Sequence, residues 1–161
     1  MATQQKVIPF LWFQDNAEEA LRFYLSVFEG SKLVSEQRWG EGGMGPKGSL
    51  MTATFSLGGQ QIAVLNGNPD VRFHDSMSLA VSCESQAEVD RLWSKLTADG
   101  GEPGHCGWLK DKFGVSWQIV PNGLAEMLGT KDAAKAKRVL AAMMPMSKLD
   151  LAKLQKAHDG K

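Results

Sequence analysis

One order of elements runs twice through residues 6–120 and constrains the fold more than any single motif. It is strand, helix, strand, strand, strand. In residues 6–66, Val7–Phe13 is an apolar run with one proline and reads as a strand. Asp15 or Asn16 can cap a helix, and Ala17, Ala20, Leu21, Tyr24 and Phe28 recur at helical spacing until Gly30 stops it. Lys32–Trp39 reads as a second strand. Leu50–Leu57 and Gln61–Asn66 are two more, joined by Gly-Gly-Gln, a strong hairpin signal.

Residues 76–120 repeat this order with shorter strands. Met77, Leu79, Val81 and Cys83 alternate with Ser76, Ser78, Ala80 and Ser82, as on a strand with one buried face. A helix starting at Glu84 or Ser85 carries Val89, Leu92, Trp93 and Leu96 and ends at Asp99-Gly100-Gly101. Short strands are expected around His105–Leu109 and Val115–Val120. Neither module can bury its sheet alone, so the two should share a curved mixed sheet with helices outside. The expected class is α+β: two β-α-β-β-β modules and a helical tail over residues 122–161, all in one domain. The concave face of such a sheet is the natural place for a small molecule.

Composition excludes several alternatives. A chain of 161 residues, 43% hydrophobic and 22% charged, suits one folded domain rather than a disordered segment. Eighteen basic residues balance eighteen acidic ones, which leaves no electrostatic case for nucleic acid or an anionic membrane. No apolar run reaches the length of a membrane span, and the polar start, Met-Ala-Thr-Gln-Gln-Lys, lacks a signal peptide's apolar core, so the expected location is cytoplasmic. Cys83 and Cys106 do not make a disulfide framework, and with three scattered histidines they form no pair at zinc-ligand spacing. The loop Gly40–Ser49, rich in glycine, is not a phosphate cradle, because no Gly-Lys-Ser/Thr ending and no helix follow it.

Three stretches carry a resemblance to a known family. Asp15–Tyr24, D-N-A-E-E-A-L-R-F-Y, is similar to the opening helix of the vicinal-oxygen-chelate superfamily, the fold of glyoxalase I, bleomycin-resistance proteins and extradiol dioxygenases. Cys106–Pro121, C-G-W-L-K-D-K-F-G-V-S-W-Q-I-V-P, resembles its PhnB-like branch, which also goes by the name 3-demethylubiquinone 3-methyltransferase domain. Arg138–Asp150 resembles the same branch. The resemblance implies paired β-α-β-β-β modules, a homodimer and a small-molecule ligand. Metal-dependent members of the superfamily carry His, Gln or Glu on four strands. The matching positions here are Ile8, Ala63, Ser78 (or Ser76, if the register slips) and Gln118, so the resemblance implies no metal and no other cofactor. Methyl transfer from S-adenosylmethionine commonly uses a glycine-rich turn after the first strand, and none follows Phe13.

Gln118 is the polar residue inside the apolar run Val115–Val120, and it is the expected centre of a ligand site. Ser78 and Trp12 join it by matched position and strand parity, with Cys106 and Trp108 as further lining candidates. Trp117, next to Gln118, should face the helices. Three functions stay open: a metal-independent small-molecule binding protein, a superfamily enzyme acting on a small organic substrate, and a dimeric interaction module.

Overall fold

The computed structural model describes residues 5–67 and 69–161, and the chain divides into two compact units, Met1–Arg72 and Phe73–Lys161. The first unit runs β1 (Phe10–Phe13), α1 (Ala17–Val27), β2 (Lys32–Arg38), β3 (Leu50–Leu57) and β4 (Gln60–Asn66). Its four strands lie in the order β1-β4-β3-β2, with β1 parallel to β4 and the other pairs antiparallel. The second unit repeats this with β5 (Leu79–Cys83), α2 (Gln86–Leu96), β6 (Glu102–Pro103), β7 (Trp108–Lys110) and β8 (Ser116–Pro121). Its order is β5-β8-β7-β6, again with the first strand parallel to the last. The repeated order of elements therefore reflects a repeated topology. The single shared sheet expected from the sequence is instead two four-stranded mixed sheets, one per unit.

Local chemistry accounts for most boundaries. Gly58 and Gly59 have φ of 52° and 86°, so a two-residue turn with both central residues left-handed joins β3 to β4, and Gln60 belongs to the strand. Asn16 occupies the N-cap of α1, but its side chain makes no cap hydrogen bond. The first amide, Ala17 N–H, instead donates to Asn66 Oδ1 of β4 at 2.8 Å. Ser85 caps α2 by accepting from Glu88 N–H at 3.2 Å, and the Glu88 carboxylate reaches back past the cap to accept from Glu84 N–H at 2.8 Å.

Four strands differ most from expectation. β1 starts at Phe10 rather than Val7: Pro9 has no N–H to donate, although its carbonyl still accepts from Ala63 N–H at 2.9 Å. β5 starts at Leu79, and Met77 is exposed. The strand expected around His105–Leu109 starts only at Trp108, because Cys106 (φ 54°) and Gly107 (φ 86°) form a left-handed turn. The second strand of that module is the two-residue β6, Glu102–Pro103, which no apolar run announces.

The core of the first unit lies between α1 and one face of its sheet. Ala20, Leu21, Tyr24 and Val27 pack with Leu11, Phe13, Phe55 and Val64, and Tyr24 stacks on Phe55 at 6.1 Å. In the second unit, Val89, Leu92 and Leu96 of α2 are buried, as are Cys83, Leu109, Trp117 and Ile119. Each large aliphatic side chain so buried contributes about 1.5–3 kcal/mol.

The tail folds as α3 (Leu124–Leu128), α4 (Ala133–Met143) and α5 (Leu151–Asp159) around Leu124, Met127, Val139, Leu149 and Leu154. Asp132 and Asp150 cap α4 and α5. The segment before α5 is tied to the second sheet by backbone bonds. Cys106 N–H donates to Met146 O and Gly107 N–H to Ser147 O, both at 2.8 Å. Gln86 also holds it from both sides, donating to Leu149 O at 3.1 Å and accepting from Leu151 N–H at 2.8 Å. Among the described residues, no helix is long and apolar enough to cross a membrane.

Candidate functional site

Strand register divides the second sheet into two chemically different faces. Leu109, Trp117 and Ile119 point to the α2 side and are fully buried. The neighbouring residues Ser116, Gln118 and Val120 point the other way. Trp108 stands directly across from Gln118 on β7, and Ala80 directly across on β5. Gln118 is partly buried on this face and donates its amide N–H to Ser78 Oγ at 2.9 Å. The structure thus brings Gln118, Ser78 and Trp108 together on one open sheet face.

The two ends of this face differ. At one end Val120 packs against the apolar cluster of the tail. At the other, the buried Ser116 hydroxyl donates to Asp75 Oδ1 at 2.8 Å, and Lys110 Nζ lies 3.2 Å from the same oxygen. The Ser116 hydroxyl first, and then the Lys110 ammonium, hold the Asp75 carboxyl below its ordinary range. Beside these groups opens a cleft of about 240 Å³, with Asp75, Glu102, Gly104, Trp108, Lys110 and Ser116 among its walls. Its volume is below the usual range for drug-sized ligands and suits a small molecule.

Trp12, in the first unit, sits on the open face of its own sheet, 47% exposed, opposite Leu65 of β4. Cys106 turns its thiol toward the carbonyls of Met143 and Met144, at 3.7 and 3.8 Å, and so is committed to the tail. His105 and Cys106 lie in a turn, in which the thiol faces the α4 terminus while His105 is exposed. Cys83 is buried and uncharged, its thiol pushed up to about 11 by burial. The glycine loop has a structural partner: Gly43 and Gly45 pass so close to the Trp39 indole that neither has room for a Cβ.

Asp111 is the residue that sequence reasoning missed. In the sequence it is one residue of the charged stretch Lys110-Asp111-Lys112, yet it is 2% exposed. Its Oδ1 accepts from Phe113 N–H at 2.9 Å and Val115 N–H at 3.0 Å, and its Oδ2 accepts from the Trp117 indole N–H at 2.8 Å. The carboxylate closes the turn into β8 and pins Trp117 to the α2 side, which leaves Gln118 to the open face. The signal was present in the spacing, an aspartate at the head of Asp-x-x-Gly with a tryptophan six residues on.

The donor set does not fit a divalent ion. Among the described residues, no group of three or more His, Cys, Asp or Glu is arranged to hold one. Ile8 and Ala63 offer only hydrocarbon, and Ser78 and Gln118 offer neutral groups already bonded to each other.

Comparison with known proteins agrees with this architecture. A family model described as 3-demethylubiquinone-9 3-methyltransferase matches residues 5–120, so α3–α5 lie beyond it. A solved PhnB protein from Bacillus cereus, described as a putative 3-demethylubiquinone-9 3-methyltransferase, is 40% identical, with a TM-score of 0.67; the match covers 73% of this chain and 99% of that one. A protein from Pseudomonas aeruginosa is 23% identical with a TM-score of 0.60, covering 73% of this chain and 98% of its own. The fosfomycin resistance protein FosX from Mesorhizobium loti shares the fold at 16% identity and a TM-score of 0.57, covering 80% of this chain and 99% of its own. No curated protein matches the chain in sequence. With its two β-α-β-β-β modules, the chain belongs to the PhnB-like, 3-demethylubiquinone-9 3-methyltransferase family of the vicinal-oxygen-chelate superfamily.

Proposed function

We propose that the protein binds a small organic molecule on the Gln118 face of its second sheet, using side-chain amide, hydroxyl and indole groups rather than a metal ion. The observation that carries this reading is the Gln118 side chain itself. It is a partly buried amide, in register with Trp108, donating to Ser78 Oγ at 2.9 Å, on a face that also borders a cleft. An amide both donates and accepts, and Trp108 supplies a flat apolar surface, so the pair suits a small ligand with one polar edge and one flat face. Trp12 is the equivalent exposed indole of the first unit and a second candidate contact. Cys106 is a weaker one, because its thiol already faces the tail.

The test begins with a thermal-shift screen of metabolites to identify a ligand. Gln118→Leu should then leave the melting temperature nearly unchanged, since leucine has a similar volume and Ser78 Oγ can turn to water. Affinity for the screened ligand should fall by about 1–3 kcal/mol, the cost of an unpaired polar group. Undiminished binding by Gln118→Leu would make the amide purely structural.

We also propose that the chain forms a homodimer. The support is exposed apolar area on the first unit, where Phe10 is 49% and Trp12 47% exposed, with Leu33 and Val34 open on the edge strand β2. Light scattering should give twice the chain mass at micromolar concentration, and a monomer there would contradict the proposal.

A further inference from the structure

The cleft at the Ser116 end of this sheet, which shares Trp108 with the surroundings of Gln118, has a definite charge character. Its ionic side chains are Asp75, Glu102 and Lys110, two negative and one positive. Lys110 is taken up by Asp75 at 3.2 Å, and the Ser116 hydroxyl donates to the same Oδ1. Asp75 Oδ2 is left for another donor. Among the described residues, no hydrogen bond or ion pair engages the Glu102 carboxylate, and no ring or cation engages the Trp108 indole. An uncommitted carboxylate, a free carboxylate oxygen and an open indole thus line one small cavity. Each of these groups attracts a cation, the indole through the negative face of its π system. An anionic ligand would meet two carboxylates and would have to take Lys110 from Asp75.

We infer that this cleft takes an organic ammonium ion, its charged head between Glu102 and Asp75 and its apolar part against Trp108. The inference rests on reading the Gln118 face as the ligand face, and it adds the ligand's charge. A divalent metal ion is a poorer occupant, because Lys110 stands beside the two carboxylates and no third anionic or imidazole ligand joins them.

The experiment titrates the full-length protein with benzylammonium chloride, benzyl alcohol and sodium benzoate, three probes of similar shape and different charge. Binding is read from the Trp108 indole N–H resonance, assigned by its loss in Trp108→Phe. Benzylammonium should shift this resonance with millimolar affinity, and the other two should bind more weakly. Glu102→Gln should weaken benzylammonium by about 3–10-fold, and Lys110→Met, which releases Asp75, should tighten it by about 2-fold or more. Both substitutions are on partly or fully exposed side chains, and unchanged melting temperatures would show that folding is intact.

Benzoate or benzyl alcohol binding as tightly as benzylammonium would overturn the inference, as would indifference to Glu102→Gln or no shift in the millimolar range. A screened ligand that is anionic and still loses affinity in Gln118→Leu would overturn the cation assignment while the ligand face stands. Benzylammonium binding that depends on Glu102, with screened ligands indifferent to Gln118→Leu, would keep the cleft and remove the amide from the account.

Discussion

Asp111→Ala should destabilise the protein by about 3 kcal/mol or more, the largest loss expected from any single side chain outside the apolar cores. The substitution leaves three donors without their acceptor: Phe113 N–H, Val115 N–H and the Trp117 indole N–H. Trp117 is 1% exposed and Val115 3%, so water cannot replace the carboxylate without opening the core. Asp111→Asn separates the contributions. Its amide oxygen can still accept from the two backbone groups, but its NH₂ would then face the indole N–H, and the expected loss is about 1–3 kcal/mol. Urea unfolding of both variants at neutral pH gives the comparison. A loss below about 1 kcal/mol for Asp111→Ala would mean that the turn is held by something other than its carboxylate.

Gly107→Ala should cost about 2–4 kcal/mol through two separable effects. The residue has φ of 86°, a conformation that penalises a Cβ by roughly 1–2 kcal/mol. That Cβ would also lie 2.9 Å from Ile119 O and 2.9 Å from Leu149 Cδ1. Neither neighbour yields easily: Ile119 is held against this turn, its N–H donating to Gly107 O at 2.8 Å, and Leu149 is 1% exposed in the tail core. Overpacking of this kind typically adds about 1–3 kcal/mol. Gly114→Ala is the control. It has the same φ of 86° with nothing within 4 Å of its Cβ, so it should show the conformational penalty alone. Equal losses in the two variants would show that the tail does not press on the turn at Gly107.

These two residues also mark where the sequence could be read and where it could not. The module order was legible because each strand and helix carries its own periodicity, and because Gly58-Gly59 is a turn signal that works locally. The nearness of Ser78 to Gln118 was legible from matched strand positions, but the hydrogen bond between the two side chains was not. β6 was not legible, because a strand of two residues including a proline exists only through its pairing with Leu109 and Lys110. Asp111 looked like an ordinary surface turn residue until Trp117 folded over it. The direction of the Cys106 thiol depended on where the tail docks, which involves residues about forty positions away in sequence. What periodicity conveys is local, and what failed in each case was a contact across elements.

The central proposal is a ligand face built from Gln118, Ser78 and Trp108 that binds without metal. Calorimetric titration of the screened ligand into the parent protein, once with a divalent-metal chelator and once with excess manganese(II), tests this most directly. The predicted result is the same affinity under both conditions, falling by about 1–3 kcal/mol in Gln118→Leu under both. Binding that vanishes with the chelator and returns with manganese would contradict it.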